Sequence, residues 1–269
     1  MLLAEIHGKT LQVARDSEDY LTSTVFGHLR YVPPRLFWPA LVAAAKRVPV
    51  PGACETSLGQ ALAARGIDPA KYERLEARFW KSHPALGEPD LLLLFAGGPQ
   101  PPLVVLIEAK LWSGKSGVEE NDQLVRYLGV LDDLDAVGLG VPPEACRFLV
   151  YLTPRESFAE VEESLAWSEA PERDRGRLFR LRWQDVLEAA RRSSWDAPEP
   201  ARTILADVAA FLGRLGLEYF AGFTRVSGMP MLTEKDGAIF RGRRASDTSL
   251  LTRLPELGPI TKRRASWAT

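Results

Sequence analysis

Three ionisable residues lie at the ends of two apolar segments in the middle of the chain. Asp90 precedes the run LLLLF, and Glu108 and Lys110 follow the run LVVLI, with a turn-rich GGPQPP between the two runs. If the runs pair as antiparallel strands around that turn, opposed residues share an index sum of about 198, and Asp90 faces Glu108. Glu108 and Lys110 are two residues apart and share a face of the strand. We therefore predict that the three side chains meet at one end of a hairpin.

Two carboxylates that face each other repel, and something must offset that repulsion. A salt bridge to Lys110 would do so and would make the cluster purely structural. A divalent cation would offset it further, because Mg²⁺ binds carboxylate and carbonyl oxygens, and the backbone carbonyl of Ala109 would be a third ligand. The lysine would then be free to stabilise charge on a substrate. The residues alone leave both interpretations open.

The elements that would position these residues follow from apolar periodicity and capping signals. Ser17 is typical of a helix N-cap, and Leu21, Val25 and Leu29 form an apolar stripe on a helix from Glu18 to about Tyr31. Further helices are predicted at residues 35–47, 58–65, 118–134, 183–192 and 200–215, strands at 146–152 and 178–182, and a strand or edge at 72–79. This pattern predicts an α/β fold, with a mixed β-sheet of about four strands flanked by helices.

Composition excludes few classes of function. The chain has 269 residues, 46% of them hydrophobic, and its formal net charge is -1. A protein so close to neutral has no general attraction for nucleic acid, although a local basic patch could still bind it. Three histidines argue against a histidine-rich metal site. Cys54 and Cys146 match no disulfide or metal pattern, so we predict that both are reduced and buried.

The two ends of the chain have different character. The N-terminal MLLAEIHGKT lacks the basic start and long apolar run of a signal peptide, and no segment approaches the length of a membrane span. We therefore expect a cytoplasmic protein without a membrane partner. Residues 221–269 are predicted to be a basic, flexible C-terminal tail, since seven basic residues and two acidic residues follow position 240. An alternative is that this tail is an arm that binds phosphates.

The sequence around the three ionisable residues resembles the PD-(D/E)XK nuclease superfamily. The signature in this chain is P-D at Asp90, seventeen intervening residues, and E-A-K from Glu108 to Lys110. SEDYLTSTVFGHLRY resembles the first helix of bacterial members, QLVRY the helix after the E-x-K strand, and RLFRLRWQDVL the last core strand with its following helix. The resemblance covers roughly residues 17–192 and does not include the basic tail.

The resemblance implies a restriction-endonuclease-like core within residues 1–220, with helical additions. It also implies a Mg²⁺-dependent nuclease, with Mn²⁺ as a substitute ion, that cleaves DNA as an endodeoxyribonuclease in phage defence or DNA repair. Lys110 would position the attacking water or stabilise the transition state, and Gln123 would orient Lys110 or that water. The implied metal ligands are Asp90, Glu108, the Ala109 carbonyl and Glu18.

Each residue carried over by the resemblance, or lying beside the motif, also has a plainer explanation. Glu18 suits the first turn of any helix because of the helix dipole. Gln123 can be an ordinary polar residue near a helix start, and Tyr127 can serve packing alone. Trp112 can be a half-buried aromatic residue or can stack on a base. We expect the loop GKSG to be flexible, which would allow Lys115 to contact a nucleic-acid backbone.

Other functions remain open from the sequence. A nucleic-acid-binding or interaction protein with the same fold would be catalytically silent, or would cut only with a partner protein. RNA is an alternative substrate to DNA, and a homodimer is an alternative to a partner protein. A Mg²⁺-dependent hydrolase other than a nuclease is a further alternative.

Overall fold

A mixed six-stranded sheet runs through residues 17–49 and 54–219, the part of the chain that the computed structural model describes. The order across the sheet is β1-β6-β5-β4-β3-β2. Strands β4, β5 and β6 are parallel, and the other neighbouring pairs are antiparallel. The strands are β1 (Lys46–Arg47), β2 (Arg74–Phe79), β3 (Leu91–Ala96), β4 (Leu103–Ala109), β5 (Cys146–Thr153) and β6 (Leu178–Arg182).

Helices cover both faces of this sheet, so the predicted α/β class is confirmed, while the predicted number of about four strands is wrong. The α-helices are α1 (Glu18–Leu29), α2 (Trp38–Ala44), α3 (Leu58–Ala63), α4 (Gln123–Asp132), α5 (Phe158–Trp167), α6 (Pro171–Arg175), α7 (Trp183–Trp195) and α8 (Ala201–Arg214). No helix among the described residues has the length and apolar character needed to cross a membrane.

The hairpin β3–β4 has the predicted register. Leu91 pairs with Ile107 and Phe95 pairs with Leu103, so opposed residues share an index sum of 198. The turn between them needs glycine at position 98, where φ is +83° and a Cβ would lie 2.7 Å from the Lys71 carbonyl oxygen. This register places Asp90 at the level of Glu108, as the sequence predicts.

Successive residues of each strand point to opposite faces of the sheet, and the two faces form separate apolar cores. One core packs the sheet against α1, α2, α3, α7 and α8. The other packs it against α4 and α5, and in β4 it contains Val104 and Leu106. Position 108 continues the second series, and this alternation directs the Glu108 side chain toward α4.

Two predicted helices are shorter than expected by more than two residues, and each has a local cause. Residues 35–47 contain α2 only from Trp38 to Ala44, because Ala45 is extended and Lys46–Arg47 pairs with β6 as an edge strand. Residues 118–134 contain a 3₁₀ turn at Glu119–Asn121 before α4 begins at Gln123. Residues 118–122 are therefore not α-helical, and α4 begins only after Asp122, whose side chain accepts hydrogen bonds from Leu124 N–H and Val125 N–H.

Other sequence predictions concern regions away from the central strands. Helices α5 and α6 were not predicted, and residues 72–79 are confirmed as an edge strand, although it begins at Arg74. Both cysteines are free, as predicted, but Cys54 is exposed and Cys146 is only half-buried. The predicted basic tail at 221–269 lies outside the described residues.

Candidate active site

The carboxyl end of β4 brings the three ionisable residues of the hairpin together. Asp90 lies just before β3, and its Oδ2 accepts a hydrogen bond of 2.8 Å from the backbone N–H of Ala109. Glu108 is the second-last residue of β4, and the Nζ of Lys110 is 2.7 Å from Glu108 Oε1. The backbone N–H of Lys110 continues the parallel ladder by donating to Leu152 O on β5 at 2.8 Å. The sheet itself therefore fixes the spacing of this cluster.

Glu108 is almost completely buried, with 2% of its surface exposed, and its two oxygens have different surroundings. Oε1 receives both Lys110 Nζ and Gln123 Nε2, each at 2.7 Å. Oε2 is buried and makes no hydrogen bond of good geometry with a protein atom, although the backbone N–H of Asp90 also favours the ionised carboxylate. Because an unpaired buried polar atom is costly, Oε2 is the atom of this cluster that most needs a further ligand.

The first turn of α4 holds Gln123 against the sheet. Its Nε2 also donates to Tyr127 OH at 3.3 Å, and Tyr127 OH donates to Glu88 O at 3.0 Å. The backbone of Ser116 makes two hydrogen bonds to Gln123. Its carbonyl accepts from Gln123 N–H at 2.9 Å, and its N–H donates to Gln123 Oε1 at 3.2 Å. Gln123 and Tyr127 thus share a helical face that is turned to Glu108, as their spacing predicts.

Glu18 reaches the same place from the helical layer on the opposite face of the sheet. Its Oε1 accepts from Leu111 N–H at 3.0 Å and from Ser113 Oγ–H at 2.6 Å. Its Oε2 is 3.6 Å from Lys110 Nζ, so the lysine is bound by two carboxylates. The indole N–H of Trp183 donates to the Lys110 carbonyl at 2.8 Å and fixes the backbone of the lysine as well.

Burial and mutual repulsion control the ionisation of the cluster. Burial, followed by the charge of Glu108, raises the pKa of Asp90 well above its usual range. Burial also raises the pKa of Glu108, although Lys110 opposes that shift. For Glu18, burial works against the charged form, yet hydrogen bonds from Leu111 and Ser113 lower its pKa overall. Burial lowers the pKa of Lys110, but the nearby carboxylates outweigh it and the net shift is upward.

Lys115 does not have the role suggested by its loop sequence. Its side chain is only 5% exposed and pairs with the fully buried Asp122 and, at 3.0 Å, with Glu163. Asp122 in turn caps α4 by accepting from Leu124 N–H at 2.9 Å, and it accepts from Ser164 Oγ–H at 3.0 Å. Lys115 therefore fastens the loop to α4 and α5, and the prediction that it would reach a nucleic-acid backbone from a flexible loop is wrong.

The structure brings all five predicted catalytic side chains to one end of the sheet, but it does not arrange their acids as a cage. The contacts above join the side chains of Glu108, Lys110, Gln123 and Glu18, and Asp90 joins this cluster through the backbone N–H of Ala109. Within residues 17–49 and 54–219 there is no group of three or more His, Cys, Asp or Glu side chains placed to hold a metal ion. Glu18 is bound to the loop and the lysine, so its role as a metal ligand stays a prediction.

Three contributors to the site were missed from the sequence. Ser113 binds Glu18, Trp183 binds the Lys110 carbonyl, and Asp122 sets where α4 begins. An aspartate just before an apolar helical run is a capping signal that could have identified Asp122. Ser113 and Trp183 are far in sequence from Glu18 and Lys110, respectively, and no local pattern marks them.

Comparison of this chain with protein-family models, with curated proteins and with solved structures gave no match.

Replacing Asp90 by Asn should raise the free energy of unfolding at neutral pH and flatten its pH dependence. Because the pKa of Asp90 is raised, the folded protein binds more protons than the unfolded chain above the ordinary carboxyl range, and stability falls as the pH rises through that window. Asn keeps an acceptor for Ala109 N–H and removes the repulsion. Urea unfolding in EDTA between pH 4 and about pH 8 measures the change, since the ordinary carboxyl pKa is about 4.

The matched control for this experiment is Asp207→Asn, which alters an exposed aspartate on α8. The control should leave the slope of stability against pH as it is in the unaltered protein. Equal slopes for Asp90→Asn and the unaltered protein would contradict the electrostatic account of the site.

Replacing Gly117 by Ala should destabilise the protein by about 1–3 kcal/mol, the usual cost of a strained backbone conformation. The φ of Gly117 is +77°, and a Cβ there would lie 1.9 Å from the Asn121 carbonyl oxygen. The loop would have to shift and would move Gln123 away from Glu108. Thermal unfolding measures the loss, and Gly140→Ala is the control because a Cβ at Gly140 meets open space.

Proposed function

We propose that this protein is a Mg²⁺-dependent nuclease that hydrolyses phosphodiester bonds in DNA, on a restriction-endonuclease-like fold. The observation that carries the proposal is the cluster of Asp90, Glu108 and Lys110 at the carboxyl end of β4, in which one oxygen of Glu108 is buried without a partner. Because an ionised oxygen is costly to bury without a partner, this oxygen supports a further ligand at the cluster.

The donor set suits a hard divalent cation. Two carboxylates, Asp90 and Glu108, lie side by side and both have raised pKa values, which is the expected result of burying two acids next to each other. A cation would remove that repulsion and would give Glu108 Oε2 its missing partner. Asp90, Glu108 and the Ala109 carbonyl would hold Mg²⁺, or Mn²⁺ in its place, and the remaining positions would be left to water and phosphate.

A bound Mg²⁺ would polarise a phosphoryl oxygen and lower the pKa of water at the site. The side chains of the protein have distinct tasks beside it. Lys110 is the cationic group, and its ammonium would stabilise the extra negative charge of the pentacovalent transition state or position the attacking water. A preorganised charge of this kind is worth about 3 kcal/mol or more.

Glu18 acts on Lys110 directly, and Gln123 acts on it only through Glu108. Gln123 donates to the same Glu108 oxygen that Lys110 contacts, so it holds that carboxylate in place if the lysine turns to a substrate. Glu18 lies 3.6 Å from the ammonium and keeps the lysine charged and extended. Trp183 fixes the lysine backbone through the carbonyl. The lysine is thus positioned before any substrate arrives, as transition-state stabilisation requires.

The position of the cluster in the sheet also supports the proposal. In open α/β sheets, ligands bind beyond the carboxyl ends of parallel strands. Strands β4, β5 and β6 are parallel, and the cluster lies at the carboxyl end of β4. The mixed sheet with helices on both faces, in which α4 connects β4 to β5, agrees with the α/β class that such a core requires.

A second candidate is a binding or interaction protein that has this fold and no activity of its own. The favouring observation is that Lys110 already pairs with both Glu108 and Glu18, which neutralises much of the acidic charge. Such a protein would bind nucleic acid, or would cut it only in a complex with a partner or as a homodimer. The two candidates differ in whether the purified chain cleaves DNA with Mg²⁺.

The test is cleavage of supercoiled plasmid and single-stranded DNA with Mg²⁺, in parallel with EDTA and with Lys110→Met. We expect metal-dependent cutting that leaves 5′-phosphates, and a loss of roughly 100-fold or more in the variant, because one preorganised charge is removed from the transition state. Cleavage of RNA of the same sequence, measured in parallel, shows whether the enzyme distinguishes ribose from deoxyribose. Lys71→Met is the matched control, since Lys71 lies on the exposed turn before β2.

The variant must be shown to fold, because Lys110→Met leaves Glu108 without its ion pair and such losses typically cost about 3–5 kcal/mol. Lys110→Arg keeps the charge and serves as the second variant. It should remain folded and lose activity, because a guanidinium is broader than an ammonium and binds with different geometry. Full activity in a folded Lys110→Met protein would refute the assignment of the lysine. Absence of cutting together with absence of Mg²⁺ binding would favour the salt-bridged binding protein.

A further inference from the structure

A cleft opens next to the proposed catalytic cluster, beyond the carboxyl end of β5. Its volume is about 150 Å³, and a neighbouring cavity of about 220 Å³ shares Glu156 and Ser157 with it. The cleft begins at the residues that directly follow the catalytic lysine. Its lining includes Leu111, Trp112, Ser113, Thr153, Ser157 and Glu160.

Trp112 forms one wall of the cleft and is 70% exposed, so the alternative of a half-buried aromatic residue is wrong. The residues on each side of it are fixed, because Leu111 N–H and Ser113 Oγ–H both donate to Glu18. The indole is therefore a large apolar surface held in water on an anchored loop, two residues from Lys110. Exposed aromatic rings of this kind form the platforms on which unpaired bases stack.

Ser157 also lines the cleft and has an unused hydroxyl group. It is the N-cap residue of α5, where serine usually accepts a hydrogen bond from the first turn, yet its side chain makes no capping bond. The residue is 3% exposed, and its Oγ has no hydrogen-bond partner in the protein. A buried hydroxyl that the protein leaves unsatisfied, in the lining of a cleft, indicates a ligand with a hydrogen-bonding edge.

The charges of the cleft select the kind of ligand. Arg155 is the basic residue in its lining, and Glu156 and Glu160 are the acidic ones. Glu160 accepts from Tyr151 OH at 2.6 Å and from Lys115 N–H, and Glu156 pairs with Arg180. Because Glu156 is already paired with Arg180, the cleft presents one carboxylate, Glu160, beside one guanidinium, Arg155, and this balance favours a neutral group with both donors and acceptors over a phosphate. The edges of nucleobases carry such donors beside acceptors.

We infer that this cleft binds one unpaired nucleobase of the strand whose phosphate lies at Lys110, with the base stacked on Trp112 and its edge at Ser157. The inference rests on the proposed function and adds the substrate class, which is single-stranded or locally unpaired nucleic acid. A volume of 150 Å³ is well below the roughly 300 Å³ of small-molecule pockets and suits one planar group. In a duplex the faces of the bases are covered by their neighbours, so only an unstacked base can enter.

The test is binding in EDTA of a fluorescent 12-nucleotide single strand and of the blunt duplex of the same sequence, measured by anisotropy. Trp112→Ala should weaken binding of the single strand by about 5- to 100-fold and leave duplex binding unchanged, because stacking on one base is lost. Trp112→Phe should restore most of the affinity. Trp195→Ala is the matched control, since Trp195 ends α7 and is 81% exposed.

Ser157→Ala is the second variant, and it tests the cleft rather than the exposed ring. Since Ser157 Oγ makes no bond in the free protein, the variant should keep its thermal stability and should bind the single strand several-fold more weakly. An oligonucleotide with abasic positions should bind the unaltered protein and the Trp112→Ala variant equally. Binding of DNA and RNA strands is compared in parallel. Their bases stack alike, so a difference in affinity shows which kind of nucleic acid the protein prefers.

The inference is overturned if Trp112→Ala binds the single strand as the unaltered protein does, or if it weakens single-strand and duplex binding equally. These readings do not depend on cleavage, because EDTA removes the metal. A protein that binds single strands through Trp112 but never cuts them would refute the nuclease and keep the base cleft. A protein that cuts with Mg²⁺ but is indifferent to Trp112 would refute the cleft and keep the nuclease.

Discussion

Burial of the Glu108 carboxylate at the end of β4 is the constraint on which the candidate site depends. The strand alternation that buries Val104 and Leu106 under α4 also directs position 108 to that side, where an apolar residue would be expected. A carboxylate there must be compensated, because burying an unpaired charge costs several kcal/mol or more. Lys110 and Gln123 supply that compensation directly, while Glu18 holds the lysine and by its own negative charge opposes the ionisation of Glu108.

These compensating groups can only meet because a second polar network holds the segment between β4 and α4. Lys115 and Asp122 form its buried centre, and Asp122 both ends the loop and caps the helix. A buried network of this kind rigidifies a structure when its members are satisfied. The network contains no residue of the proposed chemistry, yet it determines where Gln123 begins the helix and thus which oxygen of Glu108 the amide reaches.

The sequence could predict the part of the site that arises within one hairpin. The register of β3 and β4, and hence the meeting of Asp90, Glu108 and Lys110, follows from the length of two apolar runs and the turn between them. The start of α4 could not be predicted from its leucines, because periodicity does not show the positive φ of Gly117 and Glu119. The short strand β1 was missed for a similar reason, since its pairing with β6 is a tertiary contact that two residues cannot signal.

The salt-bridge and metal interpretations of the cluster describe two states that the same atoms allow. Without a cation, Lys110 is the strongest partner available to Glu108, and it takes Oε1 while Oε2 stays unpaired. In the proposed enzyme a cation would take over the neutralisation of Glu108. The cation and the carboxylate together would no longer carry a negative charge, so the attraction between Lys110 and Glu108 would weaken. Gln123 would keep Oε1 satisfied during that exchange. The arrangement that stabilises the protein without metal is therefore the one that would free the lysine for phosphate once metal binds.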